Sequence, residues 1–330
     1  MKAKRPIALG IDIAKLKFDA ALLMEDGKFK TKIFTNSPQG FIALKDWLTR
    51  MDADAVPVCM EATGVYYENL ATFLTDKGQT VSVVNPAWIK SFGGGQGVRT
   101  KNDKVDACLI ARYCAQMRPA QWQPAPLAVR QLAALGRRRD ALVAMRRQEL
   151  NRQETVSLSA VRDSICTVLA TIEAELADIE TRIRQHIASD PDLKHKSELL
   201  RSIPGVGEVV VETVLAESDG FQRFDRAAEA VAFIGLSPQE RSSGISVRGR
   251  APICKMGNRR IRAKLYMPAL TAMRCNPLVR NLAERLRAKA KPGKVIICAC
   301  MKKLVRIMFG VLKHDQKFDP AFPINAQNPA

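Results

Sequence analysis

Four acidic residues have the type and the placement needed to hold divalent metal ions. Asp12 lies inside one apolar run and Glu61 ends another, and both runs are typical of buried strands. Asp103 and Asp106 are three positions apart at the start of a helical stretch, so they share one helix face.

Carboxylates gathered at one point repel one another unless cations neutralise them. Their hard oxygens suit Mg²⁺. Two such ions about 4 Å apart can clamp the attacking and leaving oxygens of a phosphodiester, and we expect this chemistry from Asp12, Glu61, Asp103 and Asp106. The alternative is four solvated carboxylates at the ends of strands and helices.

The charge of the chain predicts a polyanionic partner. The sequence holds 52 Lys and Arg against 33 Asp and Glu, a formal net charge of +19. Residues 199–330 alone hold 23 basic and 10 acidic side chains. Between Pro238 and Arg306 there are 18 basic residues and 2 acidic ones. Solvated surfaces normally mix the two signs, so a phosphate-binding surface explains this excess better.

Other compositional features exclude several classes of protein. We find no run of eighteen apolar residues, so we expect no membrane span and no membrane partner. The eight cysteines form no C-x-x-C pair and there are 3 histidines, which argues against a zinc site. Scattered cysteines in apolar segments indicate reduced, buried thiols in a cytoplasmic protein.

The elements that must position the carboxylates follow an RNase H-like order. Phe18–Leu23 and Phe29–Phe34 are predicted strands joined by a turn at Asp26-Gly27, and with the Asp12 strand they form a meander. Strand–helix alternation follows, which predicts an α/β RNase H-like (RuvC-like) domain over residues 1–125. Its first and fourth strands should be central neighbours.

A glycine-rich segment, Gly93–Gly97, is predicted to be a flexible loop. Its alternative role as a phosphate cradle is disfavoured because it lacks the Walker pattern.

Residues 126–198 are predicted to be a helical, coiled-coil segment. Apolar residues recur there at alternating steps of four and three, as in a helix seam: Ile165, Leu169, Ile172, Leu176, Ile179 and Ile183. An internal hairpin and an intermolecular coiled coil both fit this spacing.

Residues 199–330 are predicted to be a mainly α domain that begins with a helix-hairpin-helix turn. Gly205 and Gly207 lie in the segment S-I-P-G-V-G, where glycines allow close backbone approach. Exposed backbone amides at the start of the following helix can donate hydrogen bonds to a DNA phosphate. A plain helical connection is the alternative.

A polar, glycine-punctuated segment over residues 233–260 contains Ser243. A serine hydroxyl is a weak nucleophile unless neighbours activate it. The residues around Ser243, taken alone, therefore favour a structural serine in a turn over a catalytic one. Basic side chains around it could hold a phosphate and spread its charge: Arg241, Arg248, Arg250, Lys255, Arg259 and Arg260.

Motifs along the chain resemble one family of proteins. They occur in this order: G-I-D-I-A-K at 10–15, M-E-A-T-G-V-Y at 60–66, T-K-N-D-K-V-D-A at 100–107, S-I-P-G-V-G at 202–207, and F-I-G-L-S-P, S-S-G and K-M-G-N within 233–258. The chain resembles, from about residue 7 to 314, the insertion-sequence transposases with a DEDD RuvC-like domain, related to the pilin-gene invertases. It is similar above all to their bridge-RNA-guided recombinases.

The resemblance implies specific roles for residues of this chain. The family's metal ligands correspond to Asp12, Glu61, Asp103 and Asp106, with Mg²⁺ as cofactor. Its serine nucleophile, which precedes a glycine, corresponds to Ser243, with Ser242 as a lesser candidate. One departure is Cys254, where the family commonly has serine.

The resemblance also implies a reaction and its partners. The serine would form a covalent phosphoserine link to DNA, and strands would be exchanged through a Holliday-type junction. A non-coding bridge RNA would pair with donor and target double-stranded DNA. Homodimers would assemble into a homotetramer, whose sites combine the RuvC-like domain of one subunit with the serine domain of another.

Two alternatives remain from the residues alone. A junction-resolving nuclease would keep the metal ions and use water as nucleophile. A non-enzymatic architectural binder would use only the basic surface and the coiled coil.

Overall fold

The computed structural model describes residues 5–62, 64–96, 103–239, 242–243, 247–248 and 252–321. The chain divides into two compact units, residues 1–124 and 125–330. The three-part division into 1–125, 126–198 and 199–330 stays a prediction.

The first unit is built on a mixed five-stranded sheet. Its order is β3-β2-β1-β4-β5, with the bounds β1 (Pro6–Ile13), β2 (Lys17–Met24), β3 (Phe29–Thr35), β4 (Val58–Glu61) and β5 (Val81–Val84). The first three strands are antiparallel neighbours, and β1, β4 and β5 run parallel. The predicted meander and the central pairing of the first and fourth strands are confirmed.

Four helices accompany this sheet in the described part of the unit. They are α1 (Pro38–Arg50), α2 (Glu68–Asp76), α3 (Pro86–Gly95) and α4 (Asp103–Met117). Local sequence sets two of the helix starts: the side chains of Ser37 and Asn85 accept hydrogen bonds from the first turns of α1 and α3, and a proline follows each cap.

Alternation along β1 assigns its residues to the two faces of the sheet. Leu9 and Ile11 belong to the core on one face, whereas Ala8 belongs to the core that includes Ile110 of α4 on the other face. Asp12 shares the parity of Ala8, so it lies on the α4 face.

The predicted loop at Gly93–Gly97 is wrong in its first part, because Gly93, Gly94 and Gly95 end helix α3. A β-carbon at Gly93 would lie 2.7 Å from a methyl carbon of Leu109, so the missing side chain lets α3 approach α4. Gly97 lies outside the described residues.

The second unit is mainly helical. Its described elements are α5 (Leu127–Thr155), α6 (Ser159–Ser189), α7 (Pro191–Arg201), α8 (Glu208–Ser218), α9 (Ala227–Ile234), β6 (Ser242–Ser243), β7 (Val247–Arg248), α10 (Arg259–Lys264), α11 (Tyr266–Cys275), α12 (Pro277–Ala288) and α13 (Gly293–Lys313). One hydrophobic core joins α5 to α13 and contains Val129, Val214, Ile261 and Leu304.

The predicted seam of α6 packs on α5 of the same chain. Leu142 of α5 forms a buried cluster with Ile172 and Leu176 of α6, and Ile179 packs against it. The internal hairpin is therefore present, and an intermolecular coiled coil stays a prediction. Among the described residues, no helix is both long enough and apolar enough to cross a membrane.

Candidate active site

Two of the four predicted carboxylates end neighbouring parallel strands. Ile11 of β1 is in register with Met60 of β4, so Asp12 and Glu61 follow at the same level of the sheet. Met60 contributes to the core opposite α4, while Cys59 contributes to the core on the α4 side. By the two-residue alternation of strands, Glu61 therefore lies on the same face as Asp12.

Gly10 brings the other two carboxylates to this edge. A β-carbon at Gly10 would lie 2.2 Å from both the Ala107 carbonyl oxygen and the Ala111 backbone nitrogen. Only glycine permits so close an approach of β1 and α4. The first turn of α4, which carries Asp103 and Asp106, consequently lies beside the end of β1.

The electrostatics of Asp12 record this gathering. The pKa of the Asp12 carboxyl is raised from 3.8 to about 6, first by burial and then by the charges of Asp106, Asp103, Glu61 and Asp19, in that order. The other three predicted carboxylates thus act on Asp12, and Asp19 is an additional member of the set. Sequence reasoning missed Asp19, which lies inside strand β2. Only the register of β1 and β2 in the structure shows that Asp19 pairs with Asp12.

Lys17 partly neutralises the cluster. Its ammonium group lies 2.9 Å from a carboxylate oxygen of Asp103 and 3.3 Å from one of Asp19. The hydrogen bond from Lys17 lowers the pKa of Asp103, which therefore stays ionised while Asp12 resists ionisation.

The donor set fits a divalent cation by its chemistry. Carboxylate oxygens are the ligands that Mg²⁺ prefers, and a cation would counter both the burial and the neighbouring negative charges that raise the pKa of Asp12. Within the described residues, however, no three such side chains already converge in a metal-binding arrangement.

The structure places Ser243 in a short hairpin of the second unit. Ser243 pairs with Val247, and Ser242 pairs with Arg248, in the antiparallel ladder of β6 and β7. The predicted phosphate contacts Arg241 and Arg250 lie outside the described residues, as does Gly244. Lys255 and Arg259 are described and exposed.

Backbone hydrogen bonds anchor both ends of this serine segment. The Gln239 amide donates to the Pro252 carbonyl, the Cys254 amide to the Ser237 carbonyl, and the Asn258 amide to the Phe233 carbonyl. Gly257 (φ +152°) is required here, because a β-carbon would lie 2.3 Å from the Phe233 carbonyl oxygen. The K-M-G-N motif therefore shapes the base of the segment.

The prediction that Arg260 contacts nucleic acid disagrees with its surroundings. The Arg260 guanidinium lies 2.7 Å from Asp140 of α5 and 2.7 Å from Glu217 of α8, and its side chain is only 16% exposed. Its charge is thus used inside the unit, where it ties α5 and α8 to α10.

Around Arg260 lies an ion network that sequence reasoning missed. Arg139 contacts Glu212 in a buried pair, and Lys264 lies 2.9 Å from Asp140. Burial favours a raised pKa for Asp140, but hydrogen bonds from Lys264 and Arg260 outweigh it and lower the pKa. The residues of this network come from α5, α8 and α10. Because these helices are far apart in sequence, no local sequence pattern predicts the network. Asn258 joins it through Glu217, at 2.8 Å.

The predicted helix-hairpin-helix turn joins α7 to α8. Gly205 has φ +92° and lies against Ala272 of α11, where a β-carbon would be 2.9 Å away, so packing inside the unit explains this glycine. Gly207 is the exposed cap of α8, and a β-carbon there would meet nothing within 4 Å. Packing does not explain Gly207, and its contact with a phosphate at this helix start stays a prediction.

Comparison with known proteins identifies the family of this chain. A family model described as Transposase, of the DEDD type of IS110, matches residues 9–157, and a second, described as Transposase IS116/IS110/IS902 family, matches residues 197–284. The pilin gene-inverting protein of Moraxella bovis is 32% identical over 314 residues, which cover 94% of this chain and 97% of that protein. This chain belongs to the IS110 family of transposases.

Other relatives agree with this assignment. The transposase is 25% identical, over 81% of its chain and 78% of the relative, to the transposase for insertion sequence element IS1111A of Coxiella burnetii. The solved structure of Thermus thermophilus RuvC aligns with 34% of this chain, which corresponds to 98% of the RuvC chain. The sequence identity is 16% and the TM-score is 0.26.

Family membership establishes the general chemistry. The transposase cleaves and rejoins DNA, and its DEDD nuclease domain implies a divalent metal ion. The first unit is the RuvC-like α/β domain, and a mainly helical region follows it.

Proposed function

We propose that the transposase is a site-specific DNA recombinase of an insertion sequence that acts through a covalent phosphoserine link. The observation that carries the proposal is that β1, β4 and α4 bring Asp12, Glu61, Asp103 and Asp106 to one edge of the sheet, where the charges of the other three help to raise the pKa of Asp12. Such a set can hold the metal ions that assist phosphodiester chemistry. Two Moraxella relatives are named for inverting a pilin gene, and inversion requires that every cut strand be rejoined.

In this proposal the four carboxylates hold Mg²⁺ at the scissile phosphate. When bound, the metal stabilises negative charge on the phosphate oxygens. Ser243 is the nucleophile, and its hydroxyl attacks phosphorus while a DNA hydroxyl leaves. The phosphoserine bond conserves the energy of the phosphodiester, so rejoining needs no other energy source. Ser243 lies at the loop end of the β6–β7 hairpin, which supports this role.

Arginine and lysine side chains of the serine segment hold DNA in the proposal. Lys255 and Arg259 are exposed, and Arg248 lies on β7 directly opposite Ser242. Arg241 and Arg250 are proposed contacts from sequence alone. Arg260 is left out, because its charge is satisfied internally.

Specificity is proposed to come from a bridge RNA that pairs with donor and target DNA. The resemblance of the motifs supports this, together with the basic excess of residues 199–330. The proposed assembly is a homotetramer of two homodimers. Strand exchange then passes through a Holliday-type junction, with each site built from two subunits.

A suicide DNA substrate tests the chemistry. In the presence of Mg²⁺ the wild-type transposase should form a protein–DNA species that resists denaturation. Asp12→Asn should abolish it while DNA binding persists, because the variant loses a charged ligand and keeps its shape. Asp46→Asn, the same change at an exposed residue of α1, is the matched control and should behave as wild type. Cut DNA with free ends and no adduct would instead establish a nuclease that uses water.

A further inference from the structure

A strongly basic cleft lies between α12 and α13, in a part of the second unit that the proposed chemistry does not use. Its volume is about 520 Å³. Apolar side chains of Leu278, Leu282 and Ala299 line it. Its cations are Arg285 of α12 and Lys302, Lys303 and Arg306 of α13.

Lys302 and Lys303 are partly buried, whereas Arg285 and Arg306 are exposed. Within the described part of the chain, none of these four cations has the carboxylate partners that the partly buried cations Arg260 and Lys264 have. Arg260 and Lys264 each lie within 3 Å of a carboxylate oxygen. Among the described residues, by contrast, none of the cleft cations forms an ion pair, and no acidic residue lines the cleft. The α12–α13 cleft therefore concentrates positive charge without nearby negative charge.

This arrangement of cations lowers the stability of the folded protein. Burial, followed by the nearby charge of Arg306, lowers the pKa of both Lys302 and Lys303, and Arg285 lowers that of Lys303 further. Cations that are half-buried and repel one another destabilise a fold unless a ligand neutralises them. An anion in the cleft would remove this cost.

The path of positive charge continues along α13. A second cavity of about 430 Å³ shares Leu278, Lys303 and Arg306 with the cleft, and Lys313 also lines it. From Lys302 to Lys313 the helix rises about 16 Å. That length corresponds to about five phosphate steps of one DNA strand. The acidic residues Asp225 and Asp319 line the second cavity, so the cleft itself is the stronger anion site.

We propose that the α12–α13 cleft binds the phosphodiester backbone of the DNA on which the transposase acts. The inference rests on the proposed function for its substrate and extends it to a surface outside the serine segment and the helix-hairpin-helix turn. Phosphate contacts of this kind fix the position of DNA and carry no base specificity. The cleft should therefore contribute to affinity for any duplex sequence.

The double variant Lys302→Gln/Lys303→Gln tests the cleft in the full-length protein. Binding of a short fluorescent DNA duplex is measured in metal-free buffer over a range of salt concentrations. The slope of log affinity against log salt should become shallower by about 1.8, because two phosphate contacts are lost at about 0.9 each.

The same variant should melt at a higher temperature at low salt, since two repelling charges are gone. A residue with a merely structural role would not lower affinity while raising stability.

The matched control is Lys289→Gln/Lys291→Gln, which removes the same charge from exposed positions between α12 and α13 that do not line the cleft. Equal losses in the two variants, or wild-type binding by the cleft variant, would overturn the proposal. A loss confined to an RNA duplex of the same length would also overturn it and would assign the cleft to RNA. The adduct assay is separate: an absent adduct refutes the recombinase chemistry and leaves the binding result intact.

Discussion

Ionised Asp12 opposes folding of the metal-free transposase. Its folded-state pKa of about 6 lies above the ordinary value of 3.8, so the folded protein binds this proton more tightly than the unfolded chain does. With respect to Asp12, stability is therefore highest below the unfolded pKa and falls as the pH rises towards the folded pKa.

Asp12→Asn should consequently stabilise the metal-free protein at neutral and alkaline pH. A shift of this size corresponds to about 3 kcal/mol, which we reduce to about 1–2 kcal/mol because Asp12 is partly exposed and solvent screens its charge. Urea unfolding should show the gain above the folded pKa and its disappearance near pH 4. Magnesium should stabilise the wild type more than the variant. An Asp12→Asn protein that is less stable than wild type at alkaline pH would contradict the carboxylate cluster.

At this scale the sequence predicted residue types better than environments. Asp12 and Glu61 could be placed because each ends or interrupts an apolar run, and their gathering follows from strand order. The internal role of Arg260 could not be predicted, because its partners Asp140 and Glu217 are distant in sequence. A guanidinium in a basic segment has the same local pattern whether it meets phosphate or a buried carboxylate.

Helix α5 depends on a glycine to accommodate the ion network. A β-carbon at Gly136 would lie 2.3 Å from Glu212 Oε1 and 2.6 Å from Arg260 Nη2. Gly136→Ala should therefore destabilise the protein by about 1–3 kcal/mol, despite the better helix propensity of alanine. The measurement is the free energy of unfolding in urea.

Gly310→Ala is the matched control for that experiment. Gly310 also lies inside a helix, α13, and a β-carbon there would meet nothing within 4 Å. This variant should be more stable than wild type by about 0.5–1 kcal/mol. If both substitutions stabilise the protein, the packing of Glu212 and Arg260 against α5 is not as described.

Elements with clear periodicity were predictable from sequence, whereas elements ended by glycine were not. The heptad spacing of α6 located its buried seam, including Ile172 and Leu176, because that face must pack on another helix. Helix α3 was missed because consecutive glycines are poor helix formers. Its cap at Asn85 and the packing of Gly93 against Leu109 outweigh that propensity.

For the whole molecule, the proposed bridge RNA and the excess of positive charge in residues 199–330 together lead us to expect association with RNA. Purified transposase should carry nucleic acid that ribonuclease destroys and that maps next to its gene. A-form duplexes are recognised by shape and backbone, which suits a basic surface. Full and specific recombination by protein stripped of RNA would count decisively against a guide.

The most direct measurement for the whole account is to map the amino acid that carries DNA in the trapped adduct. After trapping with Mg²⁺ and a suicide substrate, nuclease and protease digestion followed by mass spectrometry should locate the nucleotide on Ser243. Ser243→Ala should bind DNA with near wild-type affinity and form no adduct, because one hydroxyl contributes little on so basic a surface. Ser242→Ala should keep at least part of the activity. A nucleotide on Ser242, or an adduct that persists in Ser243→Ala, would contradict the account.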